Sequence, residues 1–404
     1  MSNISTSVPG KWWLHTMLRQ SRQTVYTRCV CCKMTIIRSA LCCGLLTLAA
    51  AIFMAPTVLT TPSPAKPFAR AGSGSYLFVG DYDTHKVLRY DAATGAFVDE
   101  FIPHRSGGLN QPQGLVFGPH DHNLYVTSGE LYGQGNLKAV LRFDAETGNF
   151  LDYFTGSDHL VGPHAVVFGP DGNLYVADGL GSEGHVARFD GTTGAFIDEF
   201  VPPNTPGQFT PFALVFGPSR RGPHNLDLYV TSTNFSGSRS VQRYDGVTGA
   251  PLGSFVSAGS GGLQLAIGLT FGPDGNLYVA SIGSFTGGVN TIMRFNGRTG
   301  GPMPSPGNDG AVFVAAGSGG LLSVFGLIFG PDGNGDGWQD LYVPSFEYSG
   351  LNKAKAKTAS IKRYDGVTGA FINTFVSLNS GGLDQPNYLT FTETDPVTLA
   401  YRGN

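Results

Sequence analysis

The stretch GPDGNLYVADGLGSEGHVARFDGTTGAFIDEF, residues 169–200, carries the reading that decides the fold. GPDGN is a tight hairpin turn, because Gly after Asp accepts the positive φ such turns demand. LYV and HVARF are short β-rich runs on either side of a polar loop. DGTTG is a second turn, in which the Asp side chain caps the backbone and Gly takes the left-handed position. AFIDEF is a further strand with alternating character. Just upstream, HAVVFG (164–169) supplies one more apolar run, so the unit is four strands joined by tight turns.

This unit recurs along the chain. RYDAATGAF (89–97), RFDAETGNF (142–150), RYDGVTGAP (243–251), RFNGRTGGP (294–302) and RYDGVTGAF (363–371) repeat its second half. GPHDHNLYV (118–126) and GPDGNLYV (272–279) repeat its first half, and GPSRRGPHNLDLYV (217–230) and GPDGNGDGWQDLYV (330–343) do so with longer loops. Six units of about 50 residues, all strand and turn, predict an all-β, six-bladed β-propeller with four-stranded antiparallel blades. The ends predict how the ring closes. The first copy starts at a second strand, SYLFVG (75–80), and the last is followed by an orphan first strand, GGLDQPNYLTF (381–391). The C-terminal strand therefore completes blade 1, which removes the exposed edges of an open ring.

The motifs GPDGNLYVAD and GHVARFD resemble those of the NHL/TolB-like six-bladed propellers, over about residues 74–394. That resemblance implies the fold. It leaves function open, since the superfamily includes sugar lactonases, streptogramin lyases, extracellular sensor domains and protein-binding scaffolds.

The 404-residue chain has a net charge of -3 and 14% charged residues. No Lys/Arg stripe is present, which excludes nucleic acid as a partner on electrostatic grounds. All five cysteines lie before residue 44, so the repeats hold no disulfide, thiol nucleophile or thiolate metal site. Residues 40–56, ALCCGLLTLAAAIFMAP, form an uncharged apolar run after Lys33 and Arg38, and Ala69-Arg70-Ala71 offers a small-residue cleavage site. This order predicts residues 1–71 as an N-terminal extension and signal peptide, or an uncleaved anchor, and 72–404 as the propeller. Met34 would make the more typical start. The expected compartment is secreted, periplasmic or cell-surface, with no membrane span after the signal segment and a monomeric product.

Two places carry candidate chemistry. Asp332, Asn334, Asp336 and Asp340 set side-chain oxygens at positions 1, 3, 5 and 9 of a loop with Gly337 at position 6, and Trp338 offers its carbonyl at position 7. Calcium takes six to eight oxygens and suits such spacing. The loop resembles the D-x-N-x-D-G-x-x-D calcium loop of integrin-type FG-GAP repeats, and Val343 at position 12 argues against an EF-hand. A structural calcium ion is expected there. The second place is the mouth of the central channel. The residues opening the six first strands align as Asn387, Gln113, His164, Phe212, Ile267 and Phe325 in blades 1 to 6, one half polar and one half apolar. The ends of the second strands add Asp81, Glu130 and Asp178 on the same face. These six polar residues form a candidate ligand site of the kind that pairs convergent polar groups with an apolar wall.

No complete catalytic set accompanies them. There is no G-x-S-x-G elbow after the leader, and no His after residue 224. The expected function is an exported, non-catalytic binding or scaffold propeller for an unknown protein, glycan or small-molecule ligand. The alternative is a lactonase- or lyase-like hydrolase working from the polar half of the mouth.

Overall fold

The computed structural model describes residues 74–129, 137–179, 183–222, 225–234, 239–283, 289–347 and 358–403. The expected signal segment and cleavage site at 1–71 lie outside these residues, as do Glu130 and the Lys353–Lys357 run. Among the described residues no helix is long and apolar enough to cross a membrane.

Six four-stranded antiparallel sheets make up the ring, as the repeats require. Blade 3 shows the pattern: Val166–Phe168, Leu174–Asp178, His185–Phe189 and Phe196–Val201, from the axis outward. Blade 1 takes its innermost strand, Pro386–Phe391, from the far end of the chain, paired antiparallel with Tyr76–Asp81. Blade 5 departs from the repeat. Its A-F segment is replaced by GPMPSPG, whose prolines lack ladder donors, so the outermost strand is delayed to Val312–Val314.

An aromatic relay binds the blades to one another. The central aromatic of each second strand stands edge-on between a Phe of its own fourth strand and a Phe of the next blade's first strand. Tyr175 meets Phe200 at 4.9 Å and Phe216 at 5.0 Å. The last link, Tyr342 to Phe391 at 5.0 Å, joins blade 6 to the C-terminal strand and completes the circle. Each such pair contributes about 0.5–1.5 kcal/mol beyond burial of its area.

The recurring Arg of the third strand serves the same frame. Arg89, Arg142, Arg188, Arg243, Arg294 and Arg363 each lie over the fourth-strand Phe. In blades 1 to 3 the Arg binds an Asp ten residues on, as Arg188 binds Asp198. Blades 4 and 6 have Gly253 and Asn373 at that station, and the counter-charge comes from the buried Asp227 and Asp340 instead.

Candidate functional site

The inner ends of the first strands stack in levels along the axis. The uppermost holds Asn387, Gln113, His164, Phe212, Ile267 and Phe325. Asn387, Gln113 and His164 are buried in neighbouring blades, and His164 packs its ring against Phe212 at 4.7 Å. Gln113 Nε2, both ring nitrogens of His164 and Asn387 Oδ1 are buried without a hydrogen-bond partner. Burial holds the His164 imidazole neutral, with its pKa pushed down to about 3, against a small opposing pull from the nearby Pro211 carbonyl.

The next level is Gly114, Ala165, Ala213, Gly268, Gly326 and Tyr388. Five small residues leave room for the sixth. Tyr388 reaches from blade 1 across the ring and donates its hydroxyl to the Phe212 carbonyl of blade 4 at 2.7 Å. A β-carbon at Gly114 would lie 2.8 Å from the His164 carbonyl, so glycine is needed for this close approach. Beneath Tyr388, Leu115, Val166, Leu214, Leu269, Leu327 and Leu389 enclose an apolar space of about 30 Å³, floored by Leu399. The axis is thus a plugged core below a polar upper rim.

Asp81 and Asp178 are fully buried on the same face, and each grips a loop. Asp81 accepts from the Asp384 and Gln385 amides at 2.8 and 2.9 Å, and Asp178 accepts from Val161 and Gly162 at 2.8 Å each. Burial raises both carboxyl pKa values, partly offset for Asp178 by His185. In the other blades Ser128, Ser232, Ser281 and Ser345 do the same work with a hydroxyl. Ser128 holds this station in blade 2; Glu130, two residues further, lies outside the described residues.

The blade 6 loop is wound on its own side chains. Asp332 accepts from the Gly335 and Gly337 amides, each at 2.7 Å, Asn334 from Asp336, and Asp336 from Trp338. Gly337 has φ 89°, which favours glycine at the turn. Asp340 accepts from the Gly333 amide at 2.9 Å and faces Arg363 at 3.7 Å, while its Oδ1 is buried without a partner. Burial raises its pKa to about 6. Asn334 donates to Asp365 at 2.8 Å, which brings a carboxylate of the neighbouring turn to the loop. The donors are hard oxygens of the kind calcium takes. As the loop stands they are turned to amides, and among the described residues no three His, Cys, Asp or Glu side chains converge closely enough to hold a metal.

A cavity on blade 3 was not legible in the sequence. It measures about 420 Å³ and is lined by Asp158, His159, Glu183, His185 and Glu199. His159 stacks flat on Phe196 at 3.7 Å. His185 has the Glu183 carbonyl at 3.0 Å on one nitrogen and Asp178 at 3.4 Å from the other, so both its nitrogens face acceptors. Asp158, His159 and Glu183 sit in loops that vary between repeats, and His185 and Glu199 stand on repeat strands whose pattern does not mark them as a site.

No protein-family model and no curated protein matches the chain. Solved structures do. A protein of unknown function from Bacteroides caccae is similar over 79% of this chain and 99% of its own, at 16% identity and a TM-score of 0.52. A gluconolactonase from Xanthomonas campestris (14% identity, 78% and 88% covered, TM-score 0.45) and a PQQ-bound aldose sugar dehydrogenase from Streptomyces coelicolor (15%, 70% and 85%, 0.46) are similar more loosely. At such identities the likeness is one of fold.

Proposed function

We propose that this chain is an exported binding propeller, without catalysis of its own, that recognises its ligand at the upper axial rim. The observation that carries this reading is the arc Asn387, Gln113 and His164, three buried side chains in neighbouring blades, in which Asn387 Oδ1, Gln113 Nε2 and the His164 ring nitrogens make no well-formed hydrogen bond within the protein. Buried polar groups without partners cost about 1–3 kcal/mol each, so a set of them in one place marks a surface made for another molecule's hydrogen bonds. The arc is neutral. Gln and Asn carry no charge, and His164 is held uncharged. A neutral ligand with hydroxyl or amide groups matches it, its apolar side against Phe212, Ile267 and Phe325; an ion would be desolvated there without a counter-charge.

The same observations favour binding over hydrolysis at this place. The two buried carboxylates of the face, Asp81 and Asp178, spend their oxygens on backbone amides. A His with a pKa near 3 is a poor general base at neutral pH. The blade 6 loop has a separate part in this reading. It takes a structural calcium ion on Asp332, Asn334, Asp336 and Asp340 with the Trp338 carbonyl, and holds the long hairpin of blade 6 in place.

A thermal-shift screen of neutral polyols, amides and short glycans tests the site. A hit that stabilises the native chain and is lost in Asn387→Ala and Gln113→Ala supports it. A hit that both variants retain, or turnover of the hit compound, overturns it.

A further inference from the structure

The chain does not stop at its closing strand. After Phe391, residues 392–403 turn under the ring, and their turn copies the one that ends each third strand. In the repeat, as at 91–96, the Asp carboxylate accepts from the Thr amide, the amide of the fifth residue bonds the Asp carbonyl, and the Asp amide bonds the carbonyl of the sixth. In Asp395-Pro-Val-Thr-Leu-Ala400 the same three bonds recur, at 2.9, 3.0 and 2.8 Å. One residue differs. Where the repeat has Gly, the tail has Leu399, at φ 55°. A leucine in the left-handed region is strained, so its side chain must be held by something outside the turn.

What holds it is the axial channel. Leu399 floors the apolar space beneath Tyr388, and with Val397 it packs on the cores of the neighbouring blades. The tail also caps inner strands that have no further strand to pair with. The Phe168 amide of blade 3 donates to the Pro396 carbonyl at 2.9 Å, and the Phe216 amide of blade 4 to Val397 at 3.4 Å. Gln339 of blade 6 donates to the Tyr401 carbonyl, and Arg402 pairs with Asp395.

We propose that residues 392–403 are a separable stopper: a seventh copy of the repeat turn, belonging to no blade, that seals the lower mouth of the ring with Leu399. The mouth it fills is a docking site for a D-x-x-T turn followed by a large apolar residue. In this chain the occupant is its own tail. The seal leaves the upper rim as the end of the axis at which a ligand can be met.

Amide hydrogen exchange reads the seal directly. A chain ending at Thr392 keeps the closing strand and loses the stopper. The amides of Phe168 and Phe216 should then exchange at least about tenfold faster, while those of Thr127 and Ala177, which bond within their own blades, stay protected. A synthetic peptide of residues 393–404 at millimolar concentration should restore the protection. Should the shortened chain fail to fold, Leu399→Asp in the full chain gives the same readout by placing a charge in the apolar space. Unchanged exchange at Phe168 and Phe216, or a peptide that restores nothing, overturns the proposal.

Discussion

The Tyr388 hydroxyl lies 2.7 Å from the Phe212 carbonyl, and the two residues belong to blades 1 and 4, opposite one another across the ring. A side chain that spans the axis converts a ring of neighbours into a braced ring. Phe212 is the hub of this arrangement, since its carbonyl takes the brace and its ring lies against His164.

Tyr388→Phe removes the hydroxyl and leaves a buried carbonyl unpaired, which should cost about 1–3 kcal/mol. Tyr388→Ala also empties the level that five small residues have left for the ring, and should cost about 3–5 kcal/mol. Urea denaturation with an unchanged m-value checks both. If Tyr388→Phe matched the native midpoint, the brace would be a contact without energetic weight.

The level Gly114, Ala165, Ala213, Gly268, Gly326 and Tyr388 also shows what could be read beforehand and what could not. The repeats, the missing first strand before Tyr76 and the surplus one at 386–391 gave away the blade number and the closure, because turns and strand periods are local properties. The brace is not local. Tyr388 occupies a first-strand position that looks like any other until the ring brings all six together. Leu399 hid for a different reason: the D-x-x-T-G signature is found by its glycine, and the tail has put a leucine there. At the rim the alignment predicts Asn387, Gln113 and His164 as neighbours, but only the packing reveals that Asn387 Oδ1, Gln113 Nε2 and the His164 ring nitrogens are buried without well-formed hydrogen bonds. Asp81 and Asp178 carry equal weight as carboxylates in the sequence, and their bonds to loop amides are visible only in the structure.

His164 gives the protein an acid-labile core. Its pKa in the native state is about 3, below the ordinary value of about 6.5 in the unfolded chain. The unfolded chain therefore takes up the proton first. The contribution to stability is full above pH 6.5 and is lost as pH falls toward 3, by roughly 5 kcal/mol at the limit. Denaturation midpoints between pH 7 and pH 4 should fall for the native chain and fall less steeply for His164→Asn. Parallel curves for the two would show that the ring is protonated or solvated in the native state.

Closure rests on the far end of the chain. Removing residues 381–404 takes away the inner strand of blade 1, the Phe391 partner of Tyr342 and the two amides that Asp81 holds. The product should be unfolded or oligomeric, with open edges seeking strands. Asp81→Ala tests the same closure more gently. It strands two amides and should cost about 2–4 kcal/mol while leaving the ring monomeric by light scattering. A monomeric 1–380 chain with native thermal stability would mean that five complete blades and a three-stranded sixth suffice.

The blade 6 loop proposed to take calcium makes the most specific demand. Without a cation, Asp336 is exposed and Asp332 half-buried, and the carboxylate of Asp365 faces Asn334 between them and the neighbouring turn. A cation that binds only the folded loop stabilises it by mass action, by about 2.7 kcal/mol at a hundredfold excess over its dissociation constant. Millimolar calcium should raise the melting temperature at pH 7.5, chelator should lower it, and Asp336→Ala should abolish the difference. The pH dependence follows from Asp340, whose pKa is raised to about 6. On its own this shift stabilises the fold below the ordinary carboxyl range and loses that effect as pH rises through 6. Calcium needs the ionised form, so its effect should run the other way, small at pH 5 and full above pH 7. Gly337→Val, at φ 89°, should weaken binding by distorting the turn without removing a ligand. Equal melting temperatures in calcium and in chelator at pH 7.5, with no metal found by elemental analysis, would leave Asp340 as the counter-charge of Arg363 and the loop as a turn closed by its own side chains.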